Sequence, residues 1–244
     1  MFVFGDSRDN GGVNLSRYGL AALAAATIAL TALVVVNRET MPPQVDRPAS
    51  AALPPGVAGQ PDAAWVSATS KSTAIGQRAL IAYARSALRL DKENPDCRLA
   101  WNTLAAIANT ESNHGMFGGA TVDKDSVARP FIIGVPLDGS DGLLAIRDTD
   151  DGELDADTTW DRAVGPFQFI PSTWKRWGID GDGDGRKNPH NIEDAALAAG
   201  RYLCDAGGDL GKSRGWSAAV LTYNRSLAYA TTVAQTATTY ADAV

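Results

Sequence analysis

The fold is decided by residues 96–115, which read DCRLAWNTLAAIANTESNHG. Leu99, Leu104, Ile107 and Ala108 recur at helical spacing, so this stretch predicts a helix over residues 97–112. Asp96 can cap its start. Glu111 then stands at the carboxyl end of an otherwise apolar helix.

Helical patterns continue on both sides of this segment, and no run shows the sustained alternation of a strand. At most, residues 132–135 and 143–146 form short hairpin pieces. The sequence therefore predicts a mainly α domain with a long irregular loop or short β-hairpin. The other predicted helices cover residues 74–90, 172–177, 192–204, 216–223 and 228–241, the first of them capped by Ser72 or Thr73.

Composition is that of a globular protein. The chain has 244 residues, of which 45% are hydrophobic and 20% charged, and this excludes collagen-like, coiled-coil and wholly disordered chains. The formal net charge of −6 argues against a nucleic-acid-binding protein, which normally carries a basic surface.

The N-terminal region predicts a membrane anchor. Residues 19–36 form an unbroken apolar run, long enough as a helix to cross a bilayer. We expect residues 1–18 in the cytoplasm, a Pro/Ala-rich linker over residues 37–63, and an extracytoplasmic domain over residues 64–244. The alternatives are a buried core helix, or a cleaved signal peptide that releases a secreted protein.

Two cysteines, Cys97 and Cys204, open the second predicted helix and close the fourth. An exported domain meets an oxidising compartment, so we expect them to pair. Two buried thiols are the alternative.

The segment over residues 138–161 is acidic, with nine acids against one base. Such a block is typical of a solvated loop. A cleft wall or a minor cation site are the other interpretations.

Three motifs carry side chains suited to chemistry. A half-buried Glu111 at a cleft floor would suit a general acid. Gln168 lies between two aromatic residues in the stretch RAVGPFQFIPSTW, residues 162–174, and aromatic and amide groups commonly line sugar sites. The third motif is the pair Tyr223-Asn224 at the end of an apolar helix.

Together these motifs resemble the lysozyme-like soluble lytic transglycosylase superfamily, and within it the membrane-bound lytic transglycosylase B branch in its actinobacterial form. The matching stretches are Glu-Ser-Asn-His-Gly at 111–115, Gly-Pro-Phe-Gln-Phe-Ile-Pro-Ser at 165–172, and Tyr-Asn at 223–224. The resemblance implies a lysozyme-like fold that acts on peptidoglycan, with Glu111 as the sole catalytic acid and base. It further implies a glycan-binding cleft lined by Ser112, Gln168, Phe169, Tyr223 and Asn224.

A calcium loop is predicted at residues 180–194. Asp180, Asp182 and Asp184 fit loop positions 1, 3 and 5, and the carbonyl of Arg186 fits position 7. Position 12, usually Glu, is Asn191. By the same resemblance Asp194 supplies the remaining ligand. We expect the bound Ca²⁺ to be structural; a bare acidic turn, a sodium ion or an empty site are the alternatives.

These observations predict a lytic transglycosylase that forms 1,6-anhydromuramoyl products from peptidoglycan. A hydrolytic muramidase on the same fold is one alternative. A non-catalytic peptidoglycan-binding domain is the other.

Overall fold

A computed structural model of the chain describes residues 44–244. The predicted anchor at residues 19–36 lies outside this range. Within it, none of the helices combines the length and apolar character needed to cross a membrane.

The described residues form a mainly helical domain with a few short strands, as the sequence predicts. The helices are α1 Ala63–Thr73, α2 Gln77–Glu93, α3 Trp101–Ser112, α4 Pro171–Trp177, α5 Ile192–Gly207, α6 Ser213–Tyr223 and α7 Leu227–Asp242. The strands form three antiparallel pairs: β1 Gly56–Val57 with β2 Gln60–Pro61, β3 Thr121–Val122 with β4 Ala128–Arg129, and β5 Ile133–Pro136 with β6 Arg162–Val164.

Helix α1 is absent from the sequence-based expectations. Asp62 caps it, because its Oδ1 accepts hydrogen bonds from the backbone N–H groups of Ala64 and Trp65. The expected start of α2 at residue 74 was wrong, since Ala74 adopts a left-handed conformation with φ 59° and ends α1. Gly76, rather than Ser72 or Thr73, occupies the N-cap of α2.

Helix α3 also starts later than predicted. Residues Pro95–Cys97 form a 3₁₀ turn, and Arg98 has a left-handed φ of 52°. Asp96 therefore caps nothing in α3, whose N-cap is Ala100. The C-terminal end at Ser112 is as predicted.

The core forms where α5 packs between α2 and α6, and where α3 packs along α7. Alanine and glycine on α5 allow close approach: a Cβ at Gly200 would lie 2.5 Å from Cδ1 of Leu90 on α2. Trp101 and Trp216 are almost fully buried, and the indole Nε1 of Trp216 donates to the Thr103 hydroxyl. This packing holds the first turn of α3 against α6.

The predicted disulfide is present. Cys97 and Cys204 are bonded, with their Cα atoms 5.4 Å apart, and they link the turn before α3 to the last turns of α5.

The described part of the predicted linker lies against the helical domain. Buried Asn102 accepts a hydrogen bond from Ala51 N through Oδ1, and its Nδ2 donates to the carbonyls of Ala49 and Ala237. Val45 bonds through both its N–H and its carbonyl to the Ser217 hydroxyl. These contacts attach residues 45–51 to α3, α6 and α7.

Candidate active site

Glu111 lies in the last turn of α3 and is 5% exposed. The chain then turns sharply, because Asn113, His114 and Gly115 all have positive φ. This turn ends the helix at once, so the carboxylate stays at the helix end.

Ser112 ties this turn to the second motif. Its Oγ donates to the carbonyl of Pro166 over 2.6 Å and accepts from the backbone N–H of Gly115 over 2.8 Å. The side chain is buried, so its geometry is that of a structural link. Its predicted contact with glycan stays a prediction.

Gly165 and Pro166 form the turn of the second motif. Gly165 has φ +74°, and a Cβ there would lie 1.9 Å from the carbonyl oxygen of Pro189. Only glycine fits this position. The turn is closed by paired backbone hydrogen bonds between Val164 and Phe169.

Gln168 sits inside this turn in a left-handed conformation, with φ 49°. Its Nε2 donates to the carbonyl of Gly165 over 3.0 Å, and its Oε1 lies beside Gly134 of β5. The amide is buried, and its binding role stays a prediction.

Phe169 packs in the core. Its ring stands edge-on to Trp174, with 5.4 Å between centroids, and to Tyr223, with 6.1 Å. Phe167 is fully buried as well. Both phenylalanines of the motif thus pack in the core, and the predicted glycan contact of Phe169 stays a prediction.

Tyr223 connects the third motif to the second. Its hydroxyl donates to the carbonyl of Phe167 over 2.7 Å. The Oδ1 of the neighbouring Asn224 accepts from the N–H of Ser226, which in turn caps α7. The Tyr-Asn pair therefore sets the direction of α7 relative to the turn at Gly165.

Tyr229, in the first turns of α7, contacts Glu111 directly, and the sequence analysis missed it. Its hydroxyl donates to Oε1 of Glu111 over 2.6 Å. Burial and the adjacent Glu111 carboxylate hold the pKa of Tyr229 well above its usual value, so it remains a donor at neutral pH. The pKa of Tyr223 is raised for the same two reasons.

The three motifs therefore meet around one carboxylate. Ser112 joins the first motif to the second, and Tyr223 joins the third motif to the second. Tyr229, which follows the third motif on α7, donates a hydrogen bond to Glu111 of the first. The arrangement holds the Glu111 carboxyl group in one orientation by hydrogen bonding, which suits proton transfer.

The acidic segment at residues 138–161 forms most of the long excursion between β5 and β6. Fully buried Asp161 accepts hydrogen bonds from the N–H and hydroxyl of Thr149. Buried Asp155 accepts from the N–H of Arg162. These two acids stabilise the backbone of their own excursion.

Three carboxylates of the predicted calcium loop come together. Oxygens of Asp180, Asp182 and Asp194 lie within 4.8 Å of one another. Asp194 is 1% exposed, and burial raises its pKa to about 6, with a further contribution from the charge of Asp182. A buried carboxylate beside two others fits a divalent cation, which would offset the repulsion between them.

The other residues of the predicted calcium loop make different contacts. Asp184 is exposed and does not belong to the group formed by Asp180, Asp182 and Asp194. Its Oδ1 accepts a hydrogen bond from the N–H of Arg186. Asn191, at the usual Glu position, caps α5 and donates from Nδ2 to Asp182 over 2.7 Å. The predicted roles of Asp184 and of the Arg186 carbonyl as ligands stay predictions.

Comparison with known proteins supports the predicted resemblance. Residues 141–219 match the family model described as the transglycosylase SLT domain. The matched segment contains the Gly165 turn and the predicted calcium loop at residues 180–194, whereas Glu111 and Tyr223 lie outside it. No curated protein matches the chain.

Two solved structures are similar over much of the chain. One is the Escherichia coli lytic transglycosylase Slt35 in complex with bulgecin A, at 15% identity, 77% coverage of this chain, 80% of that chain and a TM-score of 0.40. The other is SltB3 from Pseudomonas aeruginosa in complex with NAG-anhNAM-pentapeptide, at 20% identity, 63% and 43% coverage, and a TM-score of 0.31.

Proposed function

From the match of residues 141–219 to the transglycosylase SLT domain, we propose that the protein is a peptidoglycan lytic transglycosylase with a lysozyme-like fold. The observation that carries the proposal is the convergence of the three motifs on buried Glu111. The glycosidic bond between N-acetylmuramic acid and N-acetylglucosamine is the substrate.

Glu111 acts twice in the proposed reaction. In its protonated form it donates a proton to the glycosidic oxygen, and the bond to C1 of the muramoyl residue breaks. The acetamido oxygen of the substrate stabilises the cationic centre. The Glu111 carboxylate then accepts the proton of the C6 hydroxyl, whose oxygen closes on C1 and forms the 1,6-anhydro ring.

One carboxylate suffices for this chemistry, whereas hydrolysis by retention or inversion normally uses two. The buried acids of the acidic segment, Asp155 and Asp161, are engaged with Arg162 N–H and with Thr149. The intramolecular hydroxyl also has the advantage of proximity over water. These points favour the transglycosylase over a hydrolytic muramidase.

Mass spectrometry of digested cell-wall sacculi tests the proposal. The products should be muropeptides one water lighter than lysozyme products and should lack a reducible end. Glu111→Gln should abolish cleavage, whereas Glu153→Gln, an exposed acid of the acidic segment, should leave it intact. Reducing ends would identify a hydrolase, and full activity of Glu111→Gln would refute the assigned acid.

Ca²⁺ is the proposed structural cofactor, held by Asp180, Asp182 and Asp194, whose carboxylates lie close enough to share one ion. The loop lies between α4 and α5, so a bound ion would stabilise the segment that carries Pro189 against the Gly165 turn. No catalytic step uses the ion.

The apolar run at residues 19–36 supports a location at the cell membrane, with the catalytic domain on the cell-wall side. Release after signal cleavage is the alternative location. Either places the enzyme where its proposed glycan substrate occurs.

A further inference from the structure

His114 joins two helices that are distant in sequence. Its ring Nδ1 lies 3.0 Å from the hydroxyl of Tyr83 on α2, and its Nε2 lies 2.9 Å from the hydroxyl of Tyr240 on α7. The side chain is only 5% exposed. The turn that follows Glu111 is thus clamped between α2 and α7.

The clamp works with an uncharged ring. Burial lowers the pKa of His114 to about 4, so at neutral pH one ring nitrogen donates and the other accepts. The ionisable groups that face it are Tyr83 from α2 and Tyr240 from α7, and burial raises the pKa of both, so neither is charged. Glu111, three residues earlier, is the nearest acid in sequence.

Helix α7 carries both Tyr240, which contacts His114, and Tyr229, which contacts Glu111. Tyr240 follows Tyr229 by eleven residues, about three helical turns, so the two tyrosines share one face of the helix. Tyr229 bonds to Glu111, and Tyr240 bonds to His114. A shift of α7 away from His114 would therefore also move Tyr229 relative to Glu111.

We propose that His114 is a positioning residue for Glu111: its neutral ring holds α7 in place through Tyr240 and so keeps the Tyr229 hydroxyl on the carboxylate. The inference rests on the proposed function for its kinetic consequences. Its structural part, the clamping of α7, does not depend on the reaction. Protonation would place a charge on the buried ring that neither tyrosine hydroxyl neutralises, and this disfavours the clamped arrangement.

The test compares His114→Gln and Tyr240→Phe with two matched controls in the full chain. His190→Gln changes the other histidine, which is also buried, and Tyr202→Phe removes a hydroxyl that bonds to the Thr222 carbonyl. At a temperature where all variants are folded, we expect kcat to fall roughly tenfold to a hundredfold in the two test variants, with KM nearly unchanged. The controls should keep the wild-type kcat.

The pH profile of kcat distinguishes a positioning role of His114 from a merely structural one. The wild-type kcat should have an acid limb that follows the titration of His114, measured by NMR from its ring C–H signals, and His114→Gln should lose that limb. Wild-type kcat in His114→Gln, or an acid limb that persists in it, would overturn the inference.

Amide hydrogen exchange tests the clamping of α7 independently of catalytic activity. Amides of residues 227–233 should exchange faster in His114→Gln and Tyr240→Phe than in the wild type or in His190→Gln. If the wild-type chain cleaves no glycan, the proposed function fails, yet this exchange pattern still supports the clamp. Unchanged exchange in both test variants would refute it.

Discussion

The Tyr229 hydroxyl donates a 2.6 Å hydrogen bond to Oε1 of Glu111, although the two residues lie 118 positions apart. The contact joins the last turn of α3 to the first turns of α7. It links the proposed catalytic acid directly to the C-terminal helix.

Tyr229→Phe should therefore lower activity with little change in fold. A hydrogen bond to a charged group contributes about 1.5–3 kcal/mol, which corresponds to roughly a tenfold to hundredfold loss in kcat if the bond orients the carboxylate. Steady-state kinetics on sacculi measure it, with Tyr202→Phe as the matched control. A wild-type kcat would show that the hydroxyl does not orient Glu111.

Ser112→Ala should destabilise the domain, because Ser112 bonds to both Pro166 and Gly115. Leaving these buried backbone groups without their partner should cost about 1–3 kcal/mol in the free energy of unfolding. Thr110→Ala is the control, since the Thr110 hydroxyl bonds to the carbonyl of Ala106 within its own helix. Urea denaturation measures both, and equal losses would contradict the structural role of Ser112.

The sequence predicted the helices that have clear apolar spacing and missed those that lack it. Helix α1 reads AAWVSATSKST and buries only Val66 and Thr69. Its formation depends on the Asp62 cap and on contacts with α2, which a local pattern does not reveal. The start of α2 was misplaced because Ser72 and Thr73 are good caps in general, whereas here they end α1.

At the site, the resemblance predicted Glu111 and the motif residues, but not the contacts that each of them makes. Ser112, Phe169 and Tyr223 are buried links, a property that follows from tertiary packing. Tyr229 and His114 act across long sequence separations. The sequence offered one signal for Tyr229, namely a tyrosine shortly after the Tyr-Asn pair. That tyrosine belongs to none of the three motifs.

The disulfide should stabilise the domain strongly. It closes a loop of 107 residues in sequence separation, and the chain-entropy estimate for such a loop is about 4–5 kcal/mol. The Cys97→Ala/Cys204→Ala double variant should melt at a markedly lower temperature than the oxidised wild type. Melting of the reduced wild type should match the double variant. Two thiols reactive to alkylation in denatured, non-reduced exported protein would contradict the bond.

Calcium should raise the melting temperature of metal-stripped protein, because the ion binds the folded loop and not the unfolded chain. Asp182→Ala should remove most of that increase, since Asp182 belongs to the carboxylate group with Asp180 and Asp194. Asp151→Ala, an exposed acid of the other acidic segment, should keep it. Calorimetry with and without Ca²⁺ makes the comparison, and no calcium-dependent shift in the wild type would refute the site.

Acidification should weaken the fold through its buried histidines. Burial lowers the pKa of His114 to about 4, against about 6.5 for an unfolded histidine, so between these values the unfolded chain binds more protons than the folded one. The contribution of His114 is complete above pH 6.5 and is lost as the pH falls toward 4, by up to roughly 3 kcal/mol. His190 has the same folded-state pKa and adds to the loss, whereas buried Asp194, with its pKa raised to about 6, acts in the opposite direction without calcium. Both the wild type and His114→Gln contain His190 and Asp194. The contributions of these two groups therefore cancel when the unfolding free energies of the two proteins are subtracted. Urea denaturation should show this difference shrinking between pH 7 and pH 4, and a constant difference would mean that His114 does not titrate as an isolated buried base.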